Sequence, residues 1–182
     1  MRSFVALWPS PEVVETLDRA VRHARRRVPE AKWTRREEWH LTLLFLGEVD
    51  GALMPGLIDA LDHVLDGYPP LELSLDGWGV FPLSAPRASV VWSGVTGERL
   101  IGLVDELREA ARSAGVRAES RPFVPHLTLA RARPPLVTER ILRALGPPPR
   151  AGWSSDRIDL VESRRVGESR YRAVRSWETF VR

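Results

Sequence analysis

The sequence predicts an α+β fold made of two structurally similar lobes facing one groove. Two observations carry that expectation. Segments of β-type alternation take turns with segments whose apolar residues recur at helical spacing. The order also repeats at an offset of 86 residues. Phe4 falls on Val90, His40 on His126, Thr42 on Thr128, and Leu73 on Asp159. Two copies make a duplication rather than a solenoid. The expected organisation is one bilobal domain over 1–182, with pseudo-repeats at about 1–86 and 87–172.

Each element has its own signal. Residues 3–8 alternate and read as a first strand. A helix is expected over 11–27, with Val14, Leu17 and Val21 on one stripe, Ser10 as N-cap and Pro11 in the first turn. Strands follow at 40–46, 71–75, 89–92, 126–131, 158–161 and 171–181. Helices follow at 53–65, 98–114 and 137–145, the last two stopped by Gly115 and Gly146. The stretch 82–86 reads as the crossover between lobes, and 146–152 and 167–169 as surface loops.

Composition narrows the chemistry. The chain has no cysteine, which removes disulfides and thiolate metal sites. No apolar run approaches the roughly 18 residues of a membrane span, and the N-terminus reads as a strand rather than a signal peptide. A cytoplasmic location is expected. The formal net charge is +3, modest beside a pI of about 10.1; Lys32 is the sole lysine. Arginine-rich chains suit phosphate, because guanidinium pairs bidentately with its oxygens. A GC-rich coding bias is the first reading for most of these arginines. The basic run 22–27 reads first as a solvated helix end, with attraction of RNA as its alternative.

The chemistry sits in one tetrapeptide that occurs twice, His40-Leu41-Thr42-Leu43 and His126-Leu127-Thr128-Leu129. On a strand, positions i and i+2 share a face. His and Thr then point one way and both leucines point into the core. On a helix they would lie about 200° apart and could not act together. If the two His-Thr faces meet, two imidazoles and two hydroxyls line one cleft. One imidazole can take a proton from attacking water while the other gives one to the leaving oxygen. Both protonation states are available near neutrality, since the ordinary histidine pKa is about 6.5. The hydroxyls can hydrogen-bond the non-bridging phosphate oxygens.

These motifs, with the blocks 2–7, 40–49 and 121–131 and the late Val161-Glu162-Ser163 and Tyr171, resemble the 2H phosphoesterase superfamily. Within it, the chain resembles more closely the bacterial and archaeal RNA 2',3'-cyclic phosphodiesterases, long called 2'-5' RNA ligases. It implies a bilobal pseudo-two-fold fold, each lobe an antiparallel sheet with helices outside and a central groove holding both HxTx motifs. It implies His40 as proton donor to the departing 3' oxygen and His126 as proton acceptor from water. It implies Thr42, Thr128 and Arg131 as phosphate binders, Phe45 as a base-stacking aromatic, and a 2'-phosphate product.

Strict alternation places Phe45 and Arg131, each five residues after its histidine, on the face opposite His and Thr. They reach the groove only if the strands twist or bulge. Core packing is the alternative for Phe45, and a solvated strand end for Arg131. Trp33 is expected in the core and Lys32 at the surface, with phosphate contact as its alternative. Ser163 and Tyr171 are expected to be structural, and His23 and His63 to be surface residues.

No spacing of ligands suits zinc, so no metal or other cofactor is expected. No P-loop or nucleophilic lysine motif supports an adenylating ligase. The expected partner is RNA with a 2',3'-cyclic phosphate end, or a small cyclic nucleotide, acted on by a monomer without membrane attachment. The alternatives are a 2'-5' ligase or 2'-5' phosphodiesterase, which use the same histidines, and a non-catalytic RNA-binding module on this scaffold.

Overall fold

The computed structural model describes residues 1–164 and 170–179. The expected loop at 167–169 and the last residues of the expected strand 171–181 lie outside them. The elements run β1 (Arg2–Leu7), α1 (Pro11–Arg27), β2 (Lys32–Trp33), β3 (Leu41–Glu48), α2 (Met54–Leu65), β4 (Glu72–Phe81), β5 (Arg87–Thr96), α3 (Leu100–Ser113), β6 (His126–Val137), α4 (Thr138–Leu145), β7 (Gly152–Ser154), β8 (Arg157–Ser163) and β9 (Tyr171–Glu178). No described helix is long and apolar enough to cross a membrane.

The helices form where the apolar stripe and the caps agree. In α1, Val13, Leu17, Val21 and Ala24 are buried, and the Ser10 hydroxyl accepts from the Val13 N–H at 3.3 Å. Such a cap contributes about 1 kcal/mol. α3 buries Leu100, Leu103, Val104, Leu107 and Ala111 in the same way. These stripes cover one face of a curled antiparallel sheet with the order β7-β4-β5-β6-β3-β1-β8-β9, and β2 added to β6.

The sheet has two halves joined at a seam. β3 and β6 pair through Leu41 and Leu127. On one side β3 continues into β1, β8 and β9; on the other, β6 continues into β5, β4 and β7. The half that holds the N-terminal strand is thus completed from the far end of the chain. The helices pack on the convex side, over a continuous core containing Val5, Leu7, Leu41, Leu43, Leu127 and Leu129. A small apolar cluster of Phe4, Ala6 and Val161 is buried on the other side, with Trp8, Phe45 and Tyr171 against it. The concave face is therefore left open for polar side chains.

Several boundaries differ from the sequence expectation. β4 runs to Phe81 rather than residue 75, because Gly77 and Gly79 hide the continuing strand from a propensity reading. Residues 82–86 are consequently not a crossover between lobes. They turn β4 back into β5, which pairs with it from Phe81–Val90 to Ser74–Thr96. β6 runs to Val137 through Pro134 and Pro135, and β2 and β7 are strands of two and three residues.

Leu41 and Leu127 are fully buried at the seam. Truncating either to alanine should cost about 2–5 kcal/mol, the range for a buried leucine whose cavity cannot collapse. Urea unfolding of Leu41→Ala and Leu127→Ala measures this. A midpoint equal to that of the parent protein would show that the seam does not hold the halves together.

Candidate active site

The seam sets the site. With Leu41 opposite Leu127 in an antiparallel pair, His40 lies toward Thr128 and Thr42 toward His126. Both leucines point into the convex core, so alternation turns both histidines and both threonines to the concave face. All four are partly exposed there. The two HxTx motifs thus meet about a pseudo-two-fold axis through the leucine pair.

Each imidazole is oriented by the same device. The His40 Nδ1 lies 2.7 Å from the Glu38 carbonyl, and the His126 Nδ1 lies 2.6 Å from the Val124 carbonyl. A carbonyl only accepts, so Nδ1 carries the proton and donates in both. That leaves Nε2 as the basic nitrogen of each neutral ring.

Aromatic rings fix the planes. His40 stacks on Phe4 at 5.0 Å and meets Tyr171 edge-on at 5.0 Å, with Trp8 tilted at 5.3 Å. His126 meets Phe81 edge-on at 5.0 Å and Trp92 at 5.7 Å. Trp92 lies over Gly79, where an added Cβ would sit 2.1 Å from its ring. Only glycine permits that wall.

Phe45 and Arg131 are brought to the same face by a bulge in each motif strand. Val5 pairs with Leu44 but Ala6 with Thr42, so Leu43 has no partner on β1. Val91 pairs with Ala130 but Trp92 with Thr128, so Leu129 has no partner on β5. The extra residue lets two consecutive side chains point inward, and Leu43-Leu44 and Leu129-Ala130 are all buried. Phase is thereby shifted by one. Phe45 then joins Phe4 on the concave side, with the Arg2 guanidinium 5.2 Å above its ring. Arg131 is exposed opposite Lys32 of β2.

The remaining singled-out residues separate clearly. Trp33 packs on the main core and donates from Nε1 to the Val28 carbonyl at 2.9 Å. Ser163 ends β8 opposite Tyr171. His23 and His63 are exposed on their helices. Tyr171, expected to be structural, lies in the wall around His40. Phe4, Trp8, Phe81 and Trp92 were not singled out in the sequence, because aromatics in strands read as core. For β1 a signal exists: Phe4, Ala6 and Trp8 alternate with the core residues Val5 and Leu7, so they share the opposite face. Among the described residues, no three His, Cys, Asp or Glu side chains converge so as to hold a metal ion.

The walls act on the charges. Burial, with the neighbouring His126 and the Arg170 guanidinium, pushes His40 down from 6.5 to about 4; the Glu38 carbonyl and carboxylate oppose the shift. His126 is lowered too, chiefly by burial and then by Arg131, against its bond to Val124. Both rings are therefore neutral at pH 7 with nothing bound. An anion between them favours the imidazolium and raises both. The Glu38 carboxylate also pairs with Arg35 at 3.0 Å and Arg170 at 3.8 Å.

Between pH 6.5 and about 4 the unfolded chain binds protons that folded His40 refuses, so stability falls as pH falls through that window. NMR titration of the ligand-free protein should place the His40 midpoint near 4 and move it upward with added inorganic phosphate. A midpoint at 6.5, unmoved by phosphate, would contradict the description of the site.

A family model described as 2'-5' RNA ligase superfamily matches residues 10–167. A Thermotoga maritima protein named RNA 2',3'-cyclic phosphodiesterase is 34% identical over 135 residues, 73% of this chain and 71% of its own length. A protein of the same name from Geobacillus stearothermophilus is 35% identical over 130 residues, 70% of this chain. The match spans 41% of that relative's own length. The crystal structure of Escherichia coli LigT complexed with 3'-AMP is similar at a TM-score of 0.73 and 28% identity, covering 98% of this chain and 97% of that one.

Proposed function

The chain belongs to the 2'-5' RNA ligase superfamily, and we propose that it hydrolyses RNA 2',3'-cyclic phosphate ends to 2'-phosphates by metal-independent two-histidine catalysis. The observation that carries the reading is the pair of imidazoles on one concave face, each with Nδ1 tied to a carbonyl two residues upstream. Relatives named RNA 2',3'-cyclic phosphodiesterase support the substrate class. The expectation of a monomer acting in the cytoplasm rests on the sequence alone.

The cyclic phosphate lies between the rings and carries one negative charge. That charge offsets the burial penalty and lets one imidazole hold a second proton. His126, neutral, accepts a proton from water at Nε2 as the water oxygen bonds to phosphorus. His40, protonated, gives its Nε2 proton to O3' as the P–O3' bond breaks. The product is a 2'-phosphate with a free 3' hydroxyl. Thr42 and Thr128 donate to the non-bridging oxygens, where charge accumulates, and the Arg131 guanidinium adds a further contact. Phe45, packed against the Phe4 cluster, offers an aromatic surface to a base. With a ribose 5' hydroxyl attacking in place of water, the same step, with the P–O3' bond breaking, would form a 2'-5' linkage, which is the ligase alternative.

Turnover of a nucleoside 2',3'-cyclic phosphate to the 2'-phosphate should persist in excess EDTA. It should fall by about 10²–10⁴-fold in both His40→Ala and His126→Ala. Binding of RNA with no turnover in the parent protein would instead favour a non-catalytic module.

The pH profiles should separate free from bound enzyme. Free histidine pKa values below 6.5 mean that the singly protonated form is lost above them. Thus kcat/KM should peak below pH 6.5, and kcat should peak at higher pH because bound phosphate raises both groups. Coincident optima at or above pH 7 would overturn the electrostatic part of this account.

A further inference from the structure

The Glu38 carbonyl orients His40, yet the peptide that carries it has little backbone support. The β2–β6 ladder ends where the Thr34 N–H donates to the Leu129 carbonyl at 2.8 Å, and β3 begins only at Leu41. Among the described residues, the backbone hydrogen bonds between these points stay inside one short 3₁₀ turn, Arg36–Glu38. They run from the Glu38 N–H to the Arg35 carbonyl at 2.9 Å and from the Trp39 N–H to the Arg36 carbonyl at 3.4 Å. The equivalent stretch before His126 is tied to the sheet, because the Pro125 carbonyl accepts from the Val95 N–H of β5 at 3.0 Å.

Side chains supply what the backbone lacks. The Arg36 guanidinium forks onto α1: Nη1 donates to Asp18 Oδ2 at 3.2 Å and Nη2 to Glu15 Oε2 at 2.9 Å. The other oxygen of Asp18 accepts from Arg25 Nη1 at 2.7 Å. The Arg25 guanidinium lies 5.8 Å from the ring of Trp39, the buried residue just before His40. Asp18 itself is 7% exposed, a charge set among the buried residues of α1. Such a pair adds little to stability, since apolar side chains of similar volume do as well or better. What it can supply is a fixed geometry. The Glu38 carboxylate, 3.8 Å from Arg170, ties the same turn to the start of β9 more loosely.

We propose that Arg36, held by Asp18 and Glu15, is a positioning residue for His40. It anchors the turn at 36–38 to α1, the turn places the Glu38 carbonyl, and that carbonyl aims the imidazole through Nδ1. The inference rests on the reading of His40 as proton donor. Proton transfer to the departing O3' needs the Nε2–H within hydrogen-bond reach. A displacement of about 1 Å can cost up to about 10²-fold in rate. The ion cluster touches nothing around His126, whose carbonyl is held by β5. Loss of the cluster therefore impairs the acid and spares the base, although the two motifs share one backbone plan.

The test follows single-turnover cleavage of a nucleoside 2',3'-cyclic phosphate and of its analogue with sulfur in place of the 3' oxygen. The proteins are the parent, Arg36→Met, Glu15→Gln and His40→Ala. Methionine keeps much of the arginine stem and removes both ion pairs. Glu15 is half-exposed, so its replacement breaks one arm of the fork without opening the core. On the oxygen substrate Arg36→Met should be slower by about tenfold and Glu15→Gln by about threefold, fractions of the cost of a 1 Å displacement. Both should match the parent on the sulfur substrate, because a thiolate departs without a proton. A mere loss of folded protein would lower the two substrates together. Equal losses on both substrates in Arg36→Met and Glu15→Gln, or parent rates on both, overturn this inference alone. A His40→Ala protein equally impaired on both substrates overturns the donor reading and this inference with it.

Discussion

The meeting of β3 and β6 at Leu41 and Leu127 governs the centre of this molecule. A longer ladder would have flattened the sheet and spread the two motifs apart. One buried apolar pair lets the halves curl while holding His40 and His126 on the same concave side. The geometry depends on the leucines more than on the histidines, because a strand's alternation leaves the histidines no other face once the leucines are in the core. The same pair places the pseudo-two-fold axis and so makes the two catalytic candidates equivalent in backbone.

Equivalence in backbone is then broken by surroundings. Both rings use the same i−2 carbonyl to fix Nδ1. The half around His40 supplies Phe4, Trp8 and Tyr171, and the half around His126 supplies Phe81 and Trp92. Aromatic walls orient the imidazoles and strip them of water, which disfavours their charged forms. Guanidinium groups on either side, Arg170 for His40 and Arg131 for His126, work in the same direction. The guanidinium groups that would suit a phosphate thus add to burial in keeping the imidazoles neutral. An anion between the rings would favour their charged forms, which would couple proton uptake to anion binding.

Much of this was legible in the sequence, and the rest was hidden for identifiable reasons. The duplicated His-Leu-Thr-Leu motif, read at period two, gives the inward leucines and the shared face of His and Thr directly. Phe45 and Arg131 were out of phase on the same rule. The bulges that restore them are written in the paired inward residues Leu43-Leu44 and Leu129-Ala130, but a bulge and a strand end look alike until the partner strand is known. The aromatic walls were less legible. Phe81 ends a strand lengthened through Gly77 and Gly79, where propensity reads a turn, and Trp92 lies in the strand expected at 89–92, where an aromatic reads as core. Tyr171 comes from the far end of the chain, and only the pairing of β9 with β8, and of β8 with β1, shows how it reaches His40. The arrangement of the halves was invisible, since strand order is a property of pairing rather than of any one segment.

If two histidines of equal backbone setting divide the labour as acid and base, a leaving group that needs no proton tells them apart. The measurement is single-turnover cleavage of a 2',3'-cyclic phosphate analogue with sulfur in place of the 3' oxygen, by the parent protein, His40→Ala and His126→Ala. A thiolate departs without general acid help, so the account predicts that His40→Ala recovers most of its lost rate on the sulfur substrate while His126→Ala does not. Equal impairment of both variants on the sulfur substrate would contradict the assignment of His40 as acid, and recovery in His126→Ala alone would reverse it.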